Sequence, residues 1–303
     1  MDKHKILVAD NYDKKFYDEL ARYGEVVKAT NIDDDAELGD VTILVVRSKT
    51  RVDEKLVDRM RNLKCVISAT HGMDHVCVEY LKEKGIKFYN VPVQSYDVSQ
   101  GVMAYVLARS TNLVEGDRSM KRREWKKKEL RGFRIKGKTL GIIGYGRIGK
   151  EVARTASAFE MNVVAYDPYI KDNEFAVTLD ELLETSDFVT IHVPLTEETK
   201  GMIGKNEISK MKDGAYIINT ARGGVVDEGA LLDALREGKL GGAAVDVYEH
   251  HSPFENEVSN RLIKDEKVIA TPHSIGQTVE AIEEKGEGVI KVVKDYIRRN
   301  QPS

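Results

Sequence analysis

Residues 139–149 read TLGIIGYGRIG, and residues 163–167 read VVAYD. The order is an apolar run, a glycine-rich turn, a helical segment, a second apolar run and an acid. Gly144 permits a tight turn, Gly146 lets the backbone approach a pyrophosphate, and Gly149 allows the helix to pack closely on the strand. This order predicts a dinucleotide-binding site.

The acid that ends the second apolar run indicates which dinucleotide is bound. Asp167 comes 18 residues after Gly149, where a carboxylate can accept hydrogen bonds from the adenosine ribose hydroxyls. The same carboxylate would repel a 2′-phosphate, so the sequence favours NAD over NADP. A glycine-rich turn alone is weak evidence, but here the strand, the helix and the acid accompany it.

Composition limits the classes of protein to consider. The chain has 303 residues, of which 41% are hydrophobic, enough for two domains with a core each. Its formal net charge of -3 gives no global attraction toward nucleic acid or an anionic membrane. Cys65 and Cys77 lack the spacing of a metal site, and neither a signal-peptide pattern nor an apolar span is seen. We expect a soluble, cytoplasmic protein without a metal, a nucleic-acid partner or a membrane partner.

Short apolar runs alternate with amphipathic helical segments, and this alternation predicts parallel sheets. The first third has predicted strands at residues 5–9, 26–29, 42–46, 65–68 and 86–89. After a predicted helix at residues 96–115, six further strands are predicted at residues 140–144, 163–166, 188–192, 215–219, 243–247 and 268–271. Six strands suit a full dinucleotide-binding domain.

A last helical pattern covers residues 277–299. Together with the predicted helix at residues 96–115, it brackets the second series of strands and returns the chain to the first domain. We therefore predict a discontinuous N-terminal domain of residues 1–96 and 277–303, and a dinucleotide-binding domain of residues 97–276.

One basic run, KRREWKKK at residues 121–128, raises the question of nucleic-acid binding. Glu124 and Glu129 interrupt and follow it, and a charge run is usually the solvated face of a helix. We interpret it as such a face.

Three segments follow predicted strands of the second series, at the carboxyl edge where parallel sheets bind ligands. They read NTARG at residues 219–223, AVDVY at residues 244–248 and TPHSIGQT at residues 271–278. With the glycine-rich turn, they resemble the D-isomer-specific 2-hydroxyacid dehydrogenase family, and especially its phosphoglycerate-dehydrogenase-like branch. Similar family segments occur in the expected order, reading VRSKT, ATHGMDHV, GKTLG and HVPLT at residues 46–50, 69–76, 137–141 and 192–196.

The resemblance implies an α/β fold of two doubly wound parallel-sheet domains, a flavodoxin-like substrate domain and a Rossmann NAD domain, separated by a cleft. It also implies a homodimer formed largely through the NAD domains. The implied reaction is reversible hydride transfer between a D-2-hydroxy acid, of phosphoglycerate, glycerate or glyoxylate type, and the nicotinamide of NAD.

The resemblance also assigns roles to single residues. His273 matches the acid/base histidine, a role that suits an imidazole because imidazole titrates near neutral pH. Arg222 matches the arginine whose planar fork holds the substrate carboxylate. For Pro194 and Thr199, loop capping is an equally good reading. The implied cofactor contacts are Gly144, Gly146, Arg147, Ile148, Gly149, Asp167, Pro194, Thr199, Thr220, Ala221, Asp246 and Gly276. The implied substrate contacts are Arg47, Ser48, His71 and Gly72, of which Gly72 is equally well explained as a strand-to-helix turn.

The chain departs from the family at the partner of the catalytic histidine. The family places a glutamate five residues after the aspartate of the AVDVY segment, where this chain has His251. A carboxylate stabilises imidazolium, whereas a second imidazole supplies no negative charge. Three readings stay open: His251 orients His273 as a neutral acceptor, Glu249 or Glu255 reaches the site, or the acid/base machinery is impaired. We expect turnover, with a lower kinetic pKa than is usual in the family.

The substrate loop departs too, with Thr70 where the phosphoglycerate branch commonly has glycine and His71 where it commonly has threonine. Both changes crowd the loop, so the branch's substrate is not carried over. Two alternative functions stay open. One is a dinucleotide-sensing, corepressor-like interaction protein with impaired catalysis, and the other is a dehydrogenase of another small anion, such as formate or phosphite.

Overall fold

The computed structural model describes residues 4–29, 32, 36–70, 72–170, 172–250 and 252–300. His71 and His251, predicted as a substrate contact and a catalytic residue, lie outside the described residues. The chain divides into two compact units. Unit 1 is Met1–Gln94 with Gln277–Ser303, and unit 2 is Ser95–Gly276.

Strands and helices alternate along most of the described chain. The strands are β1 (Lys5–Val8), β2 (Glu25–Lys28), β3 (Ile43–Val46), β4 (Cys65–Ser68), β5 (Lys87–Asn90), β6 (Thr139–Ile143), β7 (Asn162–Tyr166), β8 (Phe188–Ile191), β9 (Ala215–Asn219), β10 (Leu240–Val245) and β11 (Val268–Ala270). The helices are α1 (Lys14–Leu20), α2 (Glu54–Arg59), α3 (Val78–Glu83), α4 (Ser95–Thr111), α5 (Leu113–Lys121), α6 (Arg147–Ala158), α7 (Leu179–Thr185), α8 (Lys205–Lys210), α9 (Glu228–Glu237), α10 (Glu257–Lys264) and α11 (Val279–Arg299).

The described residues of unit 1 form a parallel five-stranded sheet in the order β2-β1-β3-β4-β5. Every residue of β3 and β4 is buried, as expected for a parallel sheet covered by helices on both faces. On one face, Ile6 and Ile67 share a core with Phe16 of α1 and Val289 of α11. The opposite face packs against α2 and α3. This is the flavodoxin-like order that the resemblance implied.

The described residues of unit 2 form a parallel six-stranded sheet in the order β11-β10-β9-β8-β6-β7. Leu140 and Ile142 of β6 face a core with Val152 of α6, whereas Ile143 faces a core with Leu182 of α7. The winding reverses between β6 and β8, and ligands of doubly wound sheets bind at the carboxyl ends of the strands beside such a reversal. The predicted α/β class with two parallel sheets is confirmed.

The prediction of one helix at residues 96–115 is wrong, because the segment forms α4 and α5. Asn112 separates them with a φ of 53°, a left-handed conformation that interrupts helical hydrogen bonding and that asparagine tolerates better than most residues. The interpretation of the basic run as a helix face is corrected as well. It begins at the last residue of α5, and beyond the helix Arg122 and Lys126 pair with Glu115 and Glu124.

Candidate active site

The glycine-rich turn of unit 2 joins β6 to α6 beside the end of β8. Gly144 has a φ of 94°, and a Cβ there would lie 2.7 Å from the carbonyl oxygen of His192. A Cβ at Gly149 would lie 2.1 Å from the carbonyl oxygen of Gly144, so only glycine lets α6 start this close to the turn. A Cβ at Gly146 would meet nothing within 4 Å. The turn is therefore closed on its protein side and open at the helix N-terminus, where N–H groups favour a phosphate.

Asp167, predicted to contact the ribose, lies next to this turn at the end of β7. Its carboxylate accepts hydrogen bonds from the N–H groups of Tyr145 at 2.8 Å, Tyr169 at 2.9 Å and Ile170 at 3.2 Å. A carboxylate has about four acceptor positions, so these bonds fix its orientation and leave capacity for a ligand hydroxyl.

Thr220 provides a test of whether the residues at the end of β9 suit a ligand. Its side-chain hydroxyl is buried and has no hydrogen-bond partner among the described residues, which is uncommon for a buried polar group. An unsatisfied hydroxyl at the ligand-binding edge fits a cofactor with many hydroxyl and phosphate groups. The other predicted contacts differ in exposure: Arg147 is exposed, Ile148 is half-buried, and Ala221 and Gly276 are buried.

Thr199 and Pro194 were predicted with two readings. The Thr199 hydroxyl donates to the carbonyl oxygen of Pro194 at 2.6 Å and accepts from the N–H of Thr196 at 2.8 Å. A hydroxyl has one hydrogen, and Thr199 donates its hydrogen to an acceptor within the loop after β8. The geometry favours the loop-capping reading.

Arg222 follows β9 and is positioned by Asn219, which the sequence analysis did not single out. The Asn219 amide donates to the carbonyl oxygen of Arg222 at 3.0 Å and accepts from the N–H of Ala221 at 3.1 Å. A Cβ at Gly223 would lie 1.8 Å from the carbonyl oxygen of Tyr248, so the arginine loop passes directly against the segment after β10. An asparagine three residues before the predicted substrate arginine was the available signal, since asparagine side chains commonly stabilise turns.

Asp246 follows β10 and holds the loop that carries His273. It is 1% exposed, and its carboxylate accepts from the hydroxyl of Thr271 and from the N–H groups of Ser274 at 2.9 Å and Ile275 at 3.3 Å. His273 lies within this loop with a φ of 55°, which costs a non-glycine residue about 1–2 kcal/mol. Asp246, predicted as a cofactor contact, therefore also maintains the backbone of the predicted acid/base residue.

Two tyrosines extend this network. Thr271 gives its hydroxyl proton to Asp246, so the hydroxyl of Tyr105, which contacts Thr271, must be the donor of that bond. The Tyr248 hydroxyl shares its single hydrogen between the carbonyl oxygens of Val245 at 3.1 Å and Thr271 at 3.2 Å. Burial raises the pKa of Tyr248 to about 12 and also raises the pKa of Tyr105, so both phenols keep their protons near neutral pH.

The glutamates considered as substitutes for the family's catalytic glutamate do not reach His273. Glu249 and Glu255 are exposed, and among the described residues no hydrogen bond or ion pair joins either carboxylate to His273. The backbone N–H of Glu249 instead donates at 2.8 Å to Glu228, a buried glutamate that also accepts from Ser259. These contacts do not support the reading in which Glu249 or Glu255 replaces the glutamate.

The predicted substrate residues of unit 1 follow β3 and β4. Arg47 pairs with Asp10 at 3.4 Å and donates at 3.0 Å to the side-chain oxygen of Gln277, whereas Ser48 is exposed. Gly72 is half-buried, and its carbonyl oxygen accepts from the hydroxyl of Thr70 at 2.6 Å. The carboxyl edge of this sheet therefore carries an oriented arginine and a hydrogen-bonded loop.

Among the described residues, no group of three or more histidine, cysteine, aspartate or glutamate side chains is arranged to hold a metal ion. No described helix combines the length and apolar character needed to cross a membrane.

Comparison with known proteins identifies the family of the chain. Residues 103–274 match the family model described as the NAD-binding domain of D-isomer-specific 2-hydroxyacid dehydrogenases. The D-3-phosphoglycerate dehydrogenase of Methanocaldococcus jannaschii is 39% identical over 97% of this chain, and the match spans 57% of that protein. The hydroxypyruvate reductase of Thermotoga maritima is 39% identical over 97% of this chain and 99% of the relative. The chain thus spans less than two thirds of some relatives and nearly the whole of others.

A solved structure shows the same architecture. The D-lactate dehydrogenase of Aquifex aeolicus, in complex with NAD and lactic acid, superposes with a TM-score of 0.90. It is 31% identical, and the match covers 98% of this chain and 96% of that one.

Proposed function

Because the chain belongs to the D-isomer-specific 2-hydroxyacid dehydrogenase family, we propose that it interconverts a D-2-hydroxy acid and its 2-oxo acid. NAD is the cofactor, and Asp167, held beside the glycine-rich turn, favours it over NADP. The substrate is a short acid of the phosphoglycerate, glycerate or glyoxylate type.

The observation that carries this proposal is the carboxyl edge of the sheet in unit 2. Arg222, Asp246 and His273 follow β9, β10 and β11, which are neighbours in that sheet. The carboxyl edge of the sheet therefore carries a guanidinium that can bind a carboxylate, a carboxylate that supports a loop, and an imidazole that can transfer a proton. The glycine-rich turn lies at the same edge. Reduction of the C2 carbonyl of a 2-oxo acid by NADH needs these groups together.

The mechanism divides the chemistry between the cofactor and the chain. Bound NAD supplies the hydride acceptor, or NADH the hydride donor, for the substrate's C2 carbon. Arg222 binds the carboxylate and polarises the C2 carbonyl through its planar fork. His273 gives a proton to the C2 oxygen during reduction and takes it back during oxidation. Asp246 keeps the His273 loop in its left-handed conformation through the bonds to Ser274 and Ile275.

Two further assignments complete the proposal. Substrate contacts in unit 1 are Arg47, Ser48, His71 and Gly72. His251 orients His273 as a neutral acceptor, which predicts a lower kinetic pKa than a carboxylate partner gives. In His251→Glu, the pH profile of kcat/KM is expected to shift upward. An unchanged profile removes position 251 from the mechanism.

Assembly as a homodimer through unit 2 is part of the proposal. Unit 2 exposes large apolar side chains in and after α5, namely 64% of Leu113, 57% of Met120 and 77% of Trp125. Large exposed apolar surfaces commonly mark interfaces. Sedimentation equilibrium tests this directly, and a monomer at micromolar concentration contradicts it.

We also place the protein in the cytoplasm. Cys65 and Cys77 are free thiols, and burial raises the pKa of Cys65 to about 12. Unpaired, unreactive thiols suit a reducing compartment. Fractionation of the source cells is the measurement.

The test of function is NADH oxidation against glyoxylate, hydroxypyruvate, phosphohydroxypyruvate, pyruvate and longer 2-oxo acids. We expect saturable turnover with at least one acid, and a loss of at least about 10²-fold in kcat for His273→Gln. His250→Gln changes an exposed histidine that has no proposed role and serves as the control with wild-type rates. Tight NADH binding without turnover supports the dinucleotide sensor instead. Reduction of NAD by formate or phosphite, with no oxidation of NADH by any 2-oxo acid, supports the other dehydrogenase.

A further inference from the structure

A chain of buried polar side chains lies at the carboxyl end of β4 and has no part in the mechanism above. His75 Nε2 is 2.9 Å from Ser68 Oγ, and Ser68 Oγ is 2.7 Å from Thr70 Oγ1. Thr70 Oγ1 in turn lies 2.6 Å from the carbonyl oxygen of Gly72. Ser68 is fully buried, and Thr70 and His75 are 8% and 9% exposed. Buried polar chains of this kind fix the groups they connect.

The chemistry of the end group sets the direction of every bond in this chain. A carbonyl oxygen only accepts, so Thr70 spends its single hydroxyl hydrogen on Gly72. Ser68 must then donate to Thr70, which leaves Ser68 Oγ as an acceptor toward His75. His75 therefore carries a hydrogen on Nε2 and donates it. Its Nε2 lone pair is not available to deprotonate Ser68, so the pair is not a nucleophilic serine with its base.

The chain of bonds also orients a peptide group. In a trans peptide the C=O and N–H bonds point in opposite directions, and the described chain has no cis peptide bond. Because the Gly72 carbonyl points inward to Thr70, the N–H of Met73 points the other way. Met73 is 47% exposed. Within the described part of the chain, neither Gly72 nor Met73 donates its N–H to a protein acceptor.

We propose that His75, Ser68 and Thr70 are positioning residues that hold the Gly72–Met73 peptide as a preset N–H donor for the substrate carboxylate. The inference rests on the proposed function and goes beyond it, because it assigns substrate orientation to three side chains that do not touch the substrate. Preorganised donors bind an anion more tightly because no ordering cost is met on binding. Loss of the chain of bonds therefore weakens carboxylate binding without changing hydride transfer.

Thr70→Val removes the hydroxyl at nearly constant volume, and Thr70→Ser keeps it. We expect KM for the best 2-oxo acid to rise about 3- to 10-fold in Thr70→Val. We expect kcat and the NADH Kd to stay within about twofold of wild type, as for hydrogen bonds outside the reacting centre. Thr70→Ser is expected to restore KM. His75→Leu and His75→Gln form a second pair, since the glutamine amide can donate in place of Nε2–H.

Thr42→Val is the matched control. Thr42 bonds a backbone carbonyl of Lys5 at 3.2 Å at the opposite edge of the same sheet, so its loss costs stability without a change in KM. If KM in Thr70→Val equals the wild-type value, or if Thr70→Ser is as impaired as Thr70→Val, the proposal is overturned. Thermal unfolding of all the variants separates lost folding from lost positioning.

NMR gives a readout that does not depend on turnover. With ¹⁵N-labelled histidine at pH 8, we expect His75 to carry hydrogen on Nε2, whereas a bare Nε2 overturns the directed chain. Titration with oxamate is expected to shift the Met73 amide in wild type and to require more oxamate in Thr70→Val. Equal shifts at equal oxamate in both proteins overturn the proposal. If wild type turns over no 2-oxo acid, the proposed function fails, while these two NMR results still decide the proposal about Thr70 and His75.

Discussion

Asp246→Asn tests how far the His273 loop depends on one buried carboxylate. The oxygen Oδ1 accepts from Thr271 and Ser274, and Oδ2 accepts from Ile275. In the amide, the remaining oxygen takes the first two donors, and the NH₂ group then faces the N–H of Ile275, donor against donor. Asp246 is 1% exposed, so water does not relieve this mismatch.

The size of the effect follows from those three bonds. One charge-assisted hydrogen bond is lost, and two others become neutral bonds, which together cost unit 2 about 3–5 kcal/mol of unfolding free energy. His273 loses the support for its φ of 55°, so we expect kcat to fall at least about tenfold.

The assays are urea unfolding and steady-state kinetics. Asp213→Asn is the control, because Asp213 pairs with Lys239 at 2.8 Å with a side chain that is 90% exposed, and exposed pairs contribute about 1 kcal/mol or less. A loss below about 1 kcal/mol in Asp246→Asn, with kcat unchanged, refutes the bracing role.

Three further predictions concern the cofactor turn, substrate affinity and alkaline stability. Gly146→Ala is expected to unfold at the wild-type temperature, because its Cβ meets no protein atom within 4 Å. It is expected to bind NADH at least about tenfold more weakly, because the same Cβ enters the space for the phosphate. In Gly149→Ala, whose Cβ lies 2.1 Å from the Gly144 carbonyl, both the unfolding temperature and NADH affinity fall; equal unfolding temperatures in the two variants contradict this account. Arg222→Lys should raise KM for 2-oxo acids by at least about tenfold, since an ammonium cannot replace the bidentate fork, and a KM within twofold of wild type argues against that contact. Burial raises the pKa of Tyr216, so the folded protein holds the phenol proton more tightly than the unfolded chain does, and this contribution to stability is lost as pH rises above about 10. Tyr216→Phe should therefore flatten the fall in unfolding free energy between about pH 9 and pH 11. An identical slope in the variant and the wild type contradicts the raised pKa.

Local rules were sufficient to predict the two sheets and the glycine-rich turn between β6 and α6. Buried parallel strands such as β3 and β4 require continuous apolar runs, and these are visible without knowing their neighbours. Gly144 is required by its own φ of 94°, and Gly149 is required by the close approach of the Gly144 carbonyl oxygen in the same turn. Information of this kind lies close together in the chain, so the sequence is enough to find it.

The network around Asp246 and the chain of bonds from His75 could not be predicted in the same way. Asp246 and Ser274 are 28 residues apart, and their contact depends on β10 and β11 being neighbours. Ser68 and His75 meet only because the chain turns back after β4. The break at Asn112 was missed because asparagine is compatible with both a helix and a left-handed turn, and tertiary contacts select the turn.

The most direct test of the proposed function is the identity of the product formed from hydroxypyruvate and NADH. We expect one D-glycerate to appear for each NADH oxidised, as measured by chiral chromatography beside the loss of NADH absorbance. Formation of L-glycerate, or oxidation of NADH without a reduced acid, contradicts the assignment of the chain as a D-2-hydroxyacid dehydrogenase.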